Sequence, residues 1–110
     1  MLTVVELPEF QRRARAVMSD QERMAVISHL AQNPLAGVAL GGGLRKVRFA
    51  RESGGKSGGY RTVHFLVPDT GPVFVLTVFA KNEKASLTRA ETGALIRLAD
   101  QITAHYRSRP

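Results

Sequence analysis

The residues best suited to do chemistry lie between Leu44 and Arg61, a stretch that reads LRKVRFARESGGKSGGYR. It contains one carboxylate, Glu52, and six cations, which are Arg45, Lys46, Arg48, Arg51, Lys56 and Arg61. A second basic group, Lys81 to Lys84, follows the last apolar run and encloses Glu83. Cations at this density favour a polyanionic ligand.

The glycine-rich centre of this stretch has two interpretations. Gly55-Lys56-Ser57 matches the end of a nucleotide-binding P-loop, but that motif needs a glycine where Ala50 stands and a helix after the serine. Gly58-Gly59 and an apolar strand pattern follow instead, so a nucleotide loop is not predicted. The glycines would let the backbone approach a ligand closely, and Lys56 would supply a point charge on a flexible side chain.

Composition narrows the class of protein. With 110 residues, 44% of them hydrophobic, we expect one domain over residues 1–110. The formal net charge of +7 favours nucleic acid or an acidic partner protein, and a merely solubilising basic surface is the alternative. The lack of cysteine excludes disulfides and thiolate metal sites. MLTVVELPEF has no signal-peptide pattern and no segment is long enough to span a bilayer, so we expect a cytoplasmic protein without membrane contact.

The N-terminal third predicts a strand and a helical hairpin. Thr3 to Glu6 is β-branched, and Pro8 suits the first turn of a helix that runs to about Met18. Ser19 and Glu22 have capping-box spacing for a second helix, which Asn33-Pro34 ends. The exposed face of the first helix is expected to hold solvated cations, namely Arg12, Arg13 and Arg15.

Three strands and a helix are predicted for the remainder. Residues 35–43, with their triple glycine, are expected to be an irregular connection. Strands follow within residues 44–51, 60–67 and 73–80, and a capping box of Thr88 and Glu91 opens the last helix. The predicted fold is α+β, a small antiparallel meander with an N-terminal helical hairpin and a C-terminal helix, in the order β-α-α-β-β-β-α.

Alternation along the first of these strands separates its side chains. Val47 and Phe49 are expected in the core, with Lys46 and Arg48 together on the opposite face. Meander pairing would bring Arg61 and Lys81 to the same end of the sheet. A pocket with several cations and few acidic residues at this end could hold a phosphodiester and stabilise the extra charge of a five-coordinate phosphorus.

Aromatic and histidine residues add little to this pattern. Tyr60 is the candidate platform for stacking on a base, and an ordinary strand-start residue is the alternative. His64 is interpreted as a core histidine, and the three histidines share no metal-ligand spacing. Neither a metal site nor a cofactor is predicted.

LRKVRFARESGGKSGGYRTVHFLV followed by VFVLTVFAKNEKASLTRAE resembles the RelE/HigB group of bacterial toxin–antitoxin toxins, over about Leu44 to Glu91. GGKSGGYR before an apolar strand and AKNEK-x-x-L-T after the next are the specific features, and the first places the chain near a KSGG-containing, HigB-like subgroup. The resemblance implies a RelE-like fold and a protein that binds in the ribosomal A site, where it contacts mRNA and rRNA and cleaves the mRNA. It also implies a cognate antitoxin that covers the toxin's RNA-binding surface.

The resemblance also implies site residues. Lys46 and Arg48 match the paired basic residues on the family's second strand, and Arg61 matches its arginine after Gly-Tyr. Lys81 and Lys84 match the cations that close its last strand, and Lys56 fits its basic loop. Together with the pattern above, the expected catalytic set is Arg61, Lys56, Lys81, Lys46 and Glu83, and the expected nucleic-acid contacts are Arg48, Arg51, Arg45, Tyr60 and Lys84.

The expected reaction is metal-independent RNA cleavage with the substrate's own 2′-OH as nucleophile. Lys46, Lys56 or Glu83 would transfer protons, although Glu83 could instead pair with Lys81 or Lys84. Some family members use a tyrosine close to the C-terminus, whereas this chain has only Tyr106, in a long helix. A ParE-like inhibitor of DNA gyrase and a non-catalytic RNA- or protein-binding module are the alternatives.

Overall fold

The α+β class is confirmed by a computed structural model, which describes residues 2–51, 59–69 and 71–108. The elements in chain order are β1 Val4–Glu6, α1 Pro8–Val17, α2 Asp20–Gln32, β2 Val38–Gly41, β3 Leu44–Phe49, β4 Tyr60–Leu66, β5 Val73–Ala80 and α3 Arg89–Arg107.

The five strands form one sheet in the order β1-β5-β4-β3-β2. β2 to β5 are an antiparallel meander, but β1 pairs in parallel with β5, so the sheet is mixed and the purely antiparallel prediction is wrong. Parallel strands need a long crossover connection, and the helical hairpin and the meander between β1 and β5 supply one. β1 occupies the edge of β5 that the meander leaves open.

The additional strand β2 corrects the predicted order, since residues 35–43 were expected to be irregular. Val38–Gly41 pairs with β3, and Gly41, Gly42 and Gly43 all have positive φ, between 61° and 94°. A run of such angles is accessible to glycine without steric cost, so the triple glycine makes a hairpin turn. A Cβ on Gly42 would also lie 2.6 Å from the side chain of Ile96, which shows how closely α3 approaches this turn.

Both predicted capping boxes are confirmed. The Ser19 hydroxyl accepts from the Glu22 N–H at 3.0 Å, while the Glu22 carboxylate accepts from the Ser19 N–H at 2.8 Å. Thr88 and Glu91 repeat this arrangement at the start of α3. Each box satisfies backbone donors that the first helical turn leaves without partners.

The sheet is covered on both sides. We call the side under α1 and α2 the hairpin face; its core includes Phe10, Leu30, Val47 and Val78. We call the other side the α3 face; its core includes Leu44, Val63, Phe65 and Phe79. β4 is buried along nearly its whole length, as predicted for a central strand. No helix within the described part of the chain is long and apolar enough to cross a bilayer.

His64 is fully buried on β4, which confirms its interpretation as a core histidine. Its Nε2 lies 2.9 Å from the Pro34 carbonyl oxygen, consistent with a neutral ring that donates there. Within the described residues, its Nδ1 has no hydrogen-bond partner. Burial lowers the pKa of His64, and the nearby charges of Arg45 and His29 lower it further, against the opposing effect of the Pro34 bond.

We predict that stability falls on acidification because of His64. The unfolded chain takes up this proton near pH 6.5, whereas the folded ring does so only at lower pH, so unfolding gains protons below about pH 6.5 and becomes easier. Each pKa unit of difference contributes about 1.4 kcal/mol. His64→Gln should flatten the change in unfolding free energy between pH 7 and pH 5, measured by urea denaturation, whereas His105→Gln at an exposed position should leave it unchanged. An equal pH response in wild type and His64→Gln would contradict this assignment.

Candidate active site and nucleic-acid interface

The basic residues of three strands meet at the end of the sheet where β3 stops and β4 begins. Arg48 of β3 is directly opposite Arg61 of β4, and Arg61 is opposite Phe79 of β5. Lys46 and Arg48 alternate in step with Leu44, which belongs to the α3 face. Arg61 alternates in step with Val63 on that same face. The structure therefore brings Lys46, Arg48 and Arg61 together.

Lys81 joins this group from the end of β5. Its backbone N–H donates to the Gly59 carbonyl at 3.1 Å, which extends the β4–β5 ladder by one step beyond Tyr60 and Ala80. Its side chain is exposed. Arg61 and Lys81 thus lie at the same end of neighbouring strands.

The electrostatics of this corner favour an anion. Arg48 is exposed and Lys46 half-buried, whereas Arg61 is only 8% exposed and is held by the strands around it. Like charges directly opposite on paired strands repel. A bound phosphate would offset that repulsion, and the burial of Arg61 would strengthen its interaction with the phosphate because solvent screens it less.

Lys84 extends the cationic surface toward α3. Its ammonium lies 5.5 Å from the centre of the Phe79 ring and 2.6 Å from the Glu91 carboxylate. The hydrogen bond from Lys84, assisted by the Thr88 N–H, lowers the pKa of Glu91. Lys84 therefore lies over Phe79, the residue opposite Arg61 in the sheet, and part of its charge is balanced by Glu91 of α3.

Glu83 has a different partner from those expected. Its carboxylate pairs with Arg13 of α1, and it accepts from the Ala80 N–H at 3.0 Å; neither Lys81 nor Lys84 pairs with it in the described contacts. The Ala80 hydrogen bond, with the charges of Arg13 and Lys84, lowers the pKa of Glu83. Arg13, expected to be solvated, was missed because its contact spans 70 residues and leaves no local pattern.

The family model described as the RelE toxin of the RelE / RelB toxin-antitoxin system matches residues 3–109. The chain belongs to the RelE toxin family. This membership makes the protein a toxin of a toxin–antitoxin system. RelE toxins are endoribonucleases that engage the ribosome and have an antitoxin partner.

Two other cations of this RelE toxin, Arg45 and Arg51, lie away from Lys46, Arg48, Arg61 and Lys81. Arg45 lies on the hairpin face, where its guanidinium donates to the carbonyls of Ala36 at 3.3 Å and Gly37 at 2.8 Å. It therefore holds the connection between α2 and β2. Arg51 stacks on Tyr60, with its guanidinium carbon 4.8 Å from the ring centre, and donates to the Tyr60 hydroxyl at 3.0 Å.

Tyr60 is not presented to a base. Its ring is 1% exposed in the hairpin-face core, so the expected stacking platform is not offered by this conformation. Its hydroxyl donates to Glu22 at 2.7 Å, on the same oxygen that caps α2. Arg51, Tyr60 and Glu22 thus link the end of β3, the start of β4 and the start of α2.

Lys56, the last of the expected catalytic residues, lies outside the described residues, as does Glu52. In the described part of the chain, no three His, Asp or Glu side chains are placed to hold a metal ion together.

We predict that the Tyr60 hydroxyl stabilises the fold through Glu22. Removing a buried hydroxyl bonded to charged groups should cost about 1–3 kcal/mol, so Tyr60→Phe should lower the unfolding free energy by that amount. Comparing Tyr60→Phe, Glu22→Ala and the double variant by urea denaturation separates this bond from the capping role of Glu22, because alanine removes the acceptor oxygen that glutamine would keep. The two costs should be less than additive, by about 1 kcal/mol. Strict additivity would show that the bond contributes nothing.

Proposed function

We propose that this RelE toxin is a ribosome-dependent mRNA endoribonuclease of the KSGG-containing, HigB-like kind, which cuts mRNA in the A site without a metal ion. The proposal rests on the strand register, in which Arg48, Arg61 and Lys81 lie at one end of the α3 face. The proposed site of action is the cytoplasm, where its ribosome-bound substrate is found.

The nucleophile in this proposal is the 2′-OH of the nucleotide before the scissile phosphate. Its attack produces a five-coordinate phosphorus with additional negative charge on the non-bridging oxygens. Arg61 and Lys81 hold this phosphate: Arg61 offers a planar fork of donors fixed by its burial, and Lys81 a point charge on an exposed side chain. Donors fixed before reaction need no reorganisation in the transition state.

Proton transfer is assigned to a lysine. Glu83 is held by Arg13 and the Ala80 N–H, and its lowered pKa makes it a weaker base. This supports Lys46 or Lys56 as the group that takes the 2′-OH proton or protonates the leaving 5′-oxygen. Lys46 shares the α3 face with Arg48 and Arg61, which supports a role for it beside the phosphate that Arg61 would hold.

Arg48 and Lys84 are proposed to contact neighbouring phosphates of the RNA. They flank Arg61 on either side, Arg48 directly across from it and Lys84 over Phe79. Contacts of this kind position a strand without reading its sequence, so codon preference would come from the ribosome and from bases outside this group.

We predict codon-phased cleavage of mRNA that depends on Lys81. Primer extension on mRNA from expressing cells should show cuts in register with codons, and Lys81→Ala should slow cleavage of ribosome-bound mRNA by about 10²–10³. Arg61→Lys, which keeps the charge but not the fork, should also slow it. Arg15→Ala, at an exposed position of α1, serves as the matched control and should cleave at the wild-type rate.

Two outcomes would overturn this assignment. Wild-type rates in Lys81→Ala and Arg61→Lys would show that these cations do not hold the reacting phosphate. DNA damage on expression, with no mRNA cuts, would instead identify a ParE-like inhibitor of gyrase.

We further predict that the antitoxin is an acidic or helix-bearing protein encoded in the adjacent reading frame. Its carboxylates would complement the excess of cations at the end of the α3 face, and it would exclude RNA by covering them. Co-expression with the adjacent frame should abolish toxicity, whereas an unrelated acidic protein should not. Toxicity that persists with the adjacent frame would contradict the prediction.

A further inference from the structure

Arg13 connects the first helix to the end of β5, across 65 to 70 residues of sequence. Its Nε donates to the Val78 carbonyl at 3.3 Å, and its Nη2 pairs with Glu83. One guanidinium therefore contacts both the strand and the turn that follows it. Its side chain is 25% exposed, so this contact is partly shielded from solvent.

In the described contacts, the turn that Arg13 contacts is closed by three hydrogen bonds to Ala80. The Glu83 carboxylate accepts from the Ala80 N–H, while the Ala80 carbonyl accepts from the N–H groups of Glu83 at 3.0 Å and Lys84 at 3.4 Å. Lys81 is the first residue inside this turn, and its own N–H is bound to Gly59. The direction in which Lys81 leaves the sheet is thus set by its own bond to Gly59 and by the turn that Ala80 and Glu83 close.

The end of β5 needs such support because no strand of the described residues covers its outer edge there. β1 pairs with β5 only over Val73–Val75 among the described residues, and the strand continues to Ala80. Backbone groups at an uncovered edge are bound by water or by side chains. Arg13 fills this place at Val78, where a neighbouring strand would otherwise bind.

We propose that Arg13 is a positioning residue for the RNA-cleaving site, which acts through Glu83 to hold the turn that carries Lys81. The inference rests on the proposed function, and it gives Glu83 a role in geometry in place of proton transfer. Arg13 itself does not contact the substrate. Its effect on cleavage passes through the turn, mainly through Lys81 and to a smaller extent through Lys84.

The test compares Arg13→Gln in two backgrounds. In the wild-type background it should slow single-turnover cleavage of ribosome-bound mRNA by about tenfold, because a small misplacement of a transition-state group is costly. In the Lys81→Ala background the further loss should be much smaller, because Lys84 is then the one proposed RNA contact left on the described part of this turn. Glu83→Gln should behave in the same way. Arg12→Gln changes a neighbouring arginine that pairs only with Glu9 in the described contacts, and it should leave the rate unchanged.

A loss caused merely by unstable protein would appear in both backgrounds, as would a direct contact between Arg13 and RNA. Either result, an equal slowing by Arg13→Gln with and without Lys81, overturns the proposal. A much larger loss in Glu83→Gln than in Arg13→Gln also overturns it, since the carboxylate would then act on the substrate itself.

Amide hydrogen exchange provides a measurement that needs no RNA. Arg13→Gln should speed exchange of the Ala80 amide by about fivefold, and Arg12→Gln should not. If the wild-type toxin cuts no RNA, the proposed function fails while this measurement still decides whether Arg13 orders the turn. Unchanged exchange at Ala80 would overturn the proposal whatever the cleavage assays show.

Discussion

The register of β4 between β3 and β5 is the constraint on which the rest of the site depends. Side chains alternate along a strand, so a slip of one residue would move Arg61 from the α3 face to the hairpin face. Thr62, Val63 and His64 are fully buried on the two faces, and a slip would move the polar pair Thr62 and His64 into the core of the α3 face and Val63 to the hairpin face. The core thereby holds Arg48 opposite Arg61 despite their repulsion.

Three carboxylates in the described part of the chain, near this corner, each join a helix to the sheet or to the turn beside it. Glu22 caps α2 and accepts from Tyr60, Glu91 caps α3 and binds Lys84, and Glu83 joins Arg13 of α1 to Ala80. The acidic side chains near the site are thus used in holding elements together. Lys46, Arg48, Arg61 and Lys81 share one end of the α3 face, and a group of four cations suits the binding of a polyanion.

Sequence patterns predicted the local structure well and the long-range contacts poorly. Capping boxes and alternation have fixed spacings, so both helix starts and the shared face of Lys46 and Arg48 could be predicted. β2 was missed because its glycine turn resembles a loop when its partner strand is unknown. Arg13 and the burial of Tyr60 depend on partners 70 and 38 residues away, and periodicity carries no information about them.

We propose that Arg61 and Lys81 hold the scissile phosphate and stabilise the attack of the 2′-OH on it. A single 2′-deoxynucleotide at the scissile position of an A-site codon tests it directly, because that substitution removes the nucleophile and leaves the phosphate and its binding unchanged. On programmed ribosomes with purified toxin, we expect cleavage of the all-ribose mRNA to a 2′,3′-cyclic phosphate and no cleavage of the deoxy-substituted one. Equal cleavage of both would contradict it.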